Sequence, residues 1–165
     1  MKKISIITNG PGIAEVKSLY GQASDWVQNV LSDYDVDVKV VKAYEMEDFS
    51  SERDDAWIIT GSAYSVYDDF PWINRLKEFI HKIVQENKYV LGICFGHQII
   101  AESCGGKVEK NKMGWELGSY PITLSEEVHP IHFSQTLCSM LFPLISTSGL
   151  PGNLDEAYLA GITSK

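Results

Sequence analysis

No apolar run in this chain approaches the roughly 20 residues that a membrane-spanning helix needs. The start, Met1-Lys-Lys-Ile-Ser-Ile-Ile-Thr8, has two lysines and then too short an apolar run for a signal-peptide core. No contact with a membrane is therefore expected. Positive charge is also scarce, with 14 Lys and Arg against 22 Asp and Glu and a net charge of −8. No basic face is available to neutralise phosphates, which argues against nucleic acid as a partner. The three cysteines, Cys94, Cys104 and Cys138, are odd in number and widely spaced. They give neither a disulfide framework nor a zinc pattern. A cytoplasmic protein without metal or cofactor is the expectation. Internal repeats, low-complexity tracts and a Gly-x-Gly-x-x-Gly dinucleotide fingerprint are missing as well.

What remains is an ordinary globular composition, 44% hydrophobic over 165 residues, enough for one domain covering 1–165. Its elements read in order. Lys3 to Thr8 is strand-like and ends in the turn cluster Asn9-Gly-Pro-Gly12. Ser24 is a candidate N-cap, followed by Trp26, Val27, Val30 and Leu31 at helical spacing. Val36 to Val41 alternates at period two, and the charged stretch from Glu45 to Asp55 reads as surface. Ala56 to Thr60 is a strand buried on both faces, ended by Gly61-Ser62. A helix opens at Pro71, with Asp69 a candidate cap, and Ile73, Leu76, Phe79, Ile80, Ile83 and Val84 mark its buried stripe. The alternation β-α-β-β-α-β-α predicts a doubly wound, mostly parallel α/β sheet flanked by helices. Ligands in such sheets collect at the carboxyl ends of the strands, where Gly61 and Cys94 both fall.

The chemistry concentrates in Tyr89 to Ala101. A short apolar strand stops at Cys94, crosses Gly96 and resumes at helical spacing, which is the pattern of a nucleophile elbow. Gly92 and Gly96 remove side chains where the backbone must bend tightly, and the helix N-terminus is expected to favour a Cys94 thiolate. The pattern Gly92-x-Cys94-x-Gly96-x-Gln98 should arise by accident in roughly one chain of this length in a few thousand, so a coincidental buried cysteine is the weaker reading.

This stretch resembles the nucleophile motif of class I (triad) glutamine amidotransferases. Ile58-Ile-Thr-Gly-Ser62 resembles the family's strand and turn that supply an oxyanion-hole amide, and Ser65-Val-Tyr-Asp-Asp69 with Pro71-Trp-Ile73 resembles the loop and helix that follow. Gly105-Gly-Lys-Val108 and Gly114-Trp-Glu-Leu-Gly118 extend the likeness, which is clear over 1–124, weak over 125–165, and closest to stand-alone, GMP-synthase-like members. It implies a flavodoxin-like fold and hydrolysis of glutamine to glutamate and ammonia. Cys94 would attack the side-chain amide to form a γ-glutamyl thioester. Backbone N–H groups of Phe95 and of Gly61 or Ser62 would hold the oxyanion, and Gln98 would help hold the substrate. No synthetase domain is in the chain, so an ammonia-accepting partner would be a separate polypeptide.

The departure lies in the triad's other members. The resemblance implies a late His-x-Glu pair, but only 71 residues follow Cys94 and none of the four histidines precedes a Glu by two. His97 reads as a helix-face residue and His81 as surface. His129 and His132 are weaker candidates for the base, because Glu126 and Glu127 precede rather than follow them. Leu150-Pro151 matches a family turn, but no His stands ahead of it. The expectation is a shortened member lacking the terminal strands. Two alternatives stay open: a non-catalytic relative that binds glutamine or a partner, and a Cys hydrolase of γ-glutamyl compounds.

Overall fold

The architecture follows from four apolar runs too short for buried helices and long enough for strands. A computed structural model describes residues 1–110. Its strands are β1 (Lys2–Thr8), β2 (Val36–Lys42), β3 (Ala56–Ile59) and β4 (Tyr89–Gly92). They form one sheet in the order β2-β1-β3-β4, and every pair is parallel. The register sets Ile6 beside both Val40 and Ile58, and Ile59 beside Gly92.

The helices are α1 (Ala14–Tyr20), α2 (Ala23–Leu31), α3 (Pro71–Gln85) and α4 (Phe95–Ser103), with a 3-10 turn at Ala43–Glu45. From β1 the chain steps to β2 in one direction, and from β3 to β4 in the other. Right-handed crossovers then place α2 and α3 on opposite faces, which makes the sheet doubly wound as the sequence predicts. Period-two alternation divides the core accordingly. Ile7, Trp57 and Ile59 join Ile73, Leu76, Phe79, Ile80, Ile83, Phe95 and Ile99 in one cluster beneath α3 and α4. Ile6 and Ile58, equally buried or nearly so, fall on the other face.

The stripe expected on α3 is the buried one, with Val84 packed at its margin. Three details differ from the sequence reading. The N-cap of α2 is Gln22, not Ser24: the Gln22 side chain accepts the N–H of Asp25, and the Asp25 carboxylate accepts the N–H of Gln22 at 2.8 Å. Ser24 lies inside the helix and is buried. The N-cap of α3 is Phe70 with no side-chain cap bond, so Asp69 does not cap it; Pro71 starts the helix without an N–H to satisfy. Helix α1, unforeseen, buries none of its residues and so leaves no apolar stripe in the sequence.

The stretch Glu45 to Asp55 is more than surface. Phe49 packs on Phe79 at 4.6 Å between ring centroids, and the Arg75 guanidinium lies over the Phe49 ring, 4.6 Å from its centroid. Arg75 also donates to the carbonyls of Met46 and Glu47 and pairs with Asp48 at 2.7 Å. One side chain of α3 thus fastens the loop across the end of the helix. Trp57 and Trp72 are core residues, and Trp115 and Cys138 lie outside the described residues.

Because Leu76 is fully buried at the centre of the α3 stripe, Leu76→Ala is expected to cost about 3 kcal/mol. Urea unfolding followed by circular dichroism, comparing midpoints at constant slope, measures it.

Candidate active site

The site is assembled from three neighbouring strand ends. The chain leaves β4 at Gly92, and Ile93 N–H still donates to Ile59 C=O at 2.9 Å. The elbow then closes with Gly96 N–H donating to Ile93 C=O at 3.0 Å, a four-residue turn with Cys94 at its second position. Cys94 has φ 56° and ψ −110°, which are the dihedrals of the first central residue of a type II′ turn, a place usually filled by glycine. A non-glycine residue there carries strain of order 1–3 kcal/mol.

Both elbow glycines are required by close approach. A β-carbon on Gly96 would collide with the carbonyl of Ile59, and one on Gly92 would collide with the backbone of Gly96 and the N–H of His97. Strand, turn and helix touch main chain to main chain here. Helix α4 consequently starts directly over the end of β3, with Gln98 N–H donating to Cys94 C=O at 3.1 Å.

The β3/β4 ladder ends at the pair Ile59 and Gly92, so Gly61-Ser62 and Cys94 follow two adjacent parallel strands at the same, carboxyl end of the sheet. The structure thus brings Cys94, Phe95, Gly61 and Ser62 to one edge of the sheet, with the half-buried Gln98 one turn into α4. The Phe95 N–H faces the Cys94 sulfur, and the buried Phe95 ring packs on Trp72 at 5.7 Å. Among the described residues, neither Gly61 N–H nor Ser62 N–H has a hydrogen-bond acceptor. Tyr64 borders the same loop, edge-on to Phe70 and to Trp72.

Electrostatics at the sulfur differ from the sequence expectation. Burial pushes the Cys94 thiol up to about 11, and the Phe95 N–H offsets this only in part. Within residues 1–110 burial thus favours the neutral thiol, which as a nucleophile would call for a base. His81 does not fill that role. Its Nδ1 bonds the C=O of Ser103 at 3.1 Å and its Nε2 meets Gln85 at 2.9 Å. Ser103 closes the far end of α4, roughly 13 Å of helix away from Cys94. His97 is half-buried in the first turn of α4, and His129 and His132 lie outside the described residues. Asp68 turns its carboxylate onto the N–H of Ser65 at 2.8 Å, a loop brace. Among the described residues no group of His, Cys, Asp and Glu is placed to hold a metal ion, and no helix is long and apolar enough to cross a membrane.

The sequence reading puts Asn9 in a turn, but the structure gives it a place in the site. Asn9 is fully buried at the end of β1. Its Nδ2 donates to Thr60 C=O at 2.8 Å and to Ile7 C=O at 3.3 Å, and Ser62 Oγ donates to Asn9 C=O at 2.6 Å. The only signal was an amide side chain at a strand end, where burial was not visible.

With this geometry in hand, the comparison with known proteins is direct. The family described as glutamine amidotransferase class-I matches residues 15–138, and the chain belongs to that family. A glutamine amidotransferase-like protein of Schizosaccharomyces pombe is 33% identical over 138 residues, covering 74% of this chain and 56% of that protein. Gamma-glutamyl peptidase 4 of Arabidopsis thaliana is 40% identical over 89 residues, covering 54% of this chain and 36% of the relative. A glutamine-hydrolyzing GMP synthase subunit of Methanococcoides burtonii is 30% identical over 115 residues, covering 69% of this chain and 52% of the relative. The chain therefore spans about a third to just over half of the length of these relatives. A crystal structure of a glutamine amidotransferase from Methylobacillus flagellatus shares the fold, with a TM-score of 0.57 at 22% identity over 72% of this chain and 44% of that one.

Two measurements check the elbow. Cys94→Gly relieves the strained φ and Cys94→Ala does not, so the glycine variant is expected to be the more stable by about 1 kcal/mol. Thermal unfolding of the two variants decides it. In the free protein, alkylation of Cys94 by iodoacetamide is expected to rise about tenfold per pH unit from pH 7 to 10. The thiol, raised to about 11, gains thiolate throughout that range, whereas an ordinary thiol levels off above about pH 9. Peptide mapping by mass spectrometry gives the rates, and a plateau near pH 7 contradicts a burial-raised thiol.

Proposed function

We propose that this domain cleaves the γ-glutamyl amide of glutamine through Cys94. The sulfur adds to the side-chain carbonyl carbon and the C–N bond breaks. Ammonia leaves with the proton taken from the thiol, and a γ-glutamyl thioester remains. Water then adds to the thioester, the C–S bond breaks, and glutamate and the free thiol are released. Each step passes through an oxyanion, for which Phe95 N–H and the Gly61 or Ser62 N–H are the donors, aimed at charge that develops only in the transition state. Gln98 is the residue proposed to steady the substrate.

The observation that supports this reading is the strained Cys94 turn at the same sheet edge as two backbone N–H groups that have no acceptor among the described residues. Strain of this kind persists only where the surroundings over-determine it, and here the Gly96 contact with Ile59 does so. The raised thiol supports a mechanism in which a general base, from residues beyond 110 or from another chain, removes the proton as attack begins. Ammonia, if used, passes to a separate synthetase polypeptide, a reading that the likeness to glutamine-hydrolyzing GMP synthase subunits supports.

A second reading has an observation of its own. Similarity to the Arabidopsis γ-glutamyl peptidases favours a γ-glutamyl peptide, with an amine rather than ammonia leaving from the same thioester chemistry. Both substrates are compared in one assay. Release of ammonia from glutamine, or of the amine from a γ-glutamyl dipeptide, is expected from the 165-residue chain. Cys94→Ala is expected to lower the rate at least a thousandfold. Turnover that survives the Cys94→Ala change removes the cysteine mechanism. Neither turnover nor accumulation of a γ-glutamyl adduct on Cys94 favours a binding role.

A further inference from the structure

A backbone oxyanion donor is only as good as the orientation of its peptide plane, and the two donors proposed next to Cys94 sit in an irregular turn rather than in the sheet ladder. Gly61 follows the last residue pair of β3, so no strand partner fixes its N–H. Something else must hold it.

A peptide unit is planar, and in the trans form its C=O and N–H point in opposite directions. The Gly61 N–H belongs to the same plane as the Thr60 C=O, and no cis bond is present among the described residues. Whatever fixes the Thr60 oxygen therefore aims the Gly61 hydrogen. That oxygen accepts a 2.8 Å hydrogen bond from Asn9 Nδ2. The Asn9 amide is itself anchored from two other sides. Its nitrogen also reaches Ile7 C=O, and the Asn9 main-chain carbonyl accepts from Ser62 Oγ at 2.6 Å, which in turn accepts from Tyr64 N–H at 3.1 Å. Two carbonyl oxygens around Nδ2 assign the amide orientation, and Oδ1 is buried with no partner among the described residues. A buried polar atom left unsatisfied costs on the order of 1–3 kcal/mol, so this side chain is kept in an unfavourable place by the bonds it makes through nitrogen.

The arrangement spans the gap between the ends of β1 and β3, where the direction of strand connection reverses. We infer that Asn9 is a positioning residue that aims the Gly61 N–H at the developing oxyanion by clamping the Thr60 carbonyl, with Ser62 Oγ closing the clamp from the other side. This rests on the cysteine-dependent γ-glutamyl reading above and assigns the third strand end a role in it. It also separates the two candidate donors. The Ser62 N–H shares its plane with the Gly61 C=O, which among the described residues is held only by Thr60 Oγ1 at 3.2 Å, a longer bond from an adjacent residue.

The test uses a glutamine-derived chloromethyl ketone on the 165-residue chain. The Cys94 sulfur forms a bond to the methylene carbon, chloride leaves, the thiol proton goes to solvent, and the ketone oxygen is polarised by the hole. Saturation kinetics separate the maximal labelling rate from the half-saturation concentration, and iodoacetamide, which has no γ-glutamyl part to seat, gives the reference rate of the same cysteine. Asn9→Asp keeps the shape and sets an oxygen against the Thr60 carbonyl. The maximal rate is expected to fall at least tenfold, with half-saturation and the iodoacetamide rate each within about threefold of the parent. A saturable parent whose maximal rate is unchanged by Asn9→Asp overturns the clamp and leaves the γ-glutamyl reading standing. A maximal rate lost in Thr60→Val instead of Asn9→Asp assigns the hole to Ser62 N–H and also overturns it. A parent labelled no faster by the ketone than by iodoacetamide sinks the functional reading, and the clamp with it. Should Asn9→Asp not fold by circular dichroism, Ser62→Ala decides, since the position is only half-buried. A maximal rate reduced severalfold supports the clamp, and an unchanged one overturns it.

Discussion

The main-chain contact between Gly96 and the carbonyl of Ile59 is the constraint on which the elbow depends. It forces helix α4 to begin directly over the end of β3, and it allows no β-carbon at position 96. With the helix start so close, only two residues, Cys94 and Phe95, separate Ile93 from Gly96 along the turn, and Cys94 is driven into a positive-φ conformation that its side chain disfavours. Packing energy spread over Phe95, Ile99, Ile100 and the α3 stripe holds the helix down against that strain. A core of ordinary aliphatic residues thereby stores local strain at a single cysteine.

Burial and helix position act on that cysteine in opposite senses. A helix N-terminus and the Phe95 N–H favour negative charge on sulfur, while removal from water disfavours it. Desolvation is the larger effect, and the thiol is neutral at physiological pH. The consequence reaches the mechanism. A pre-formed thiolate would be a reactive group available to any small electrophile, whereas a neutral thiol becomes nucleophilic only where a base and an oxyanion site act together. In the mechanism proposed above, substrate discrimination is then tied to the same groups that would accelerate the reaction.

The legibility of these features in the sequence follows from how local their causes are. The β3 run, the α3 stripe from Ile73 to Ile83 and the Gly-x-Cys-x-Gly elbow each carry their reason within a few residues, as periodicity, apolar continuity or glycine spacing. Helix α1 has no such signature because nothing on it is buried. The N-cap at Gln22 was hidden by a neighbouring Ser24 with the better capping propensity, and the pairing of Gln22 with Asp25 overrode it. Asp69 lost the N-cap of α3 by one residue, since Pro71 fixes Phe70 in the extended conformation that precedes a helix. Arg75 and Phe49 are brought together only by tertiary packing. Asn9 was opaque for the same reason: its partners lie 51 and 53 residues away.

The distribution of the site over three strand ends gives a reason for the fold as well. In a sheet ordered β2-β1-β3-β4 the crossovers diverge between β1 and β3, and the segments leaving these two strands meet there, with Ser62 Oγ donating to Asn9 C=O. In the proposed mechanism a nucleophile after β4 with its oxyanion donor after β3 needs no more than adjacent strands, but a fixed donor needs a third support from behind. Only β1 borders β3 on that side, so the residue that steadies the Gly61 peptide has to come from the end of β1, and the first polar side chain there that is fully buried and reaches across to β3 is Asn9.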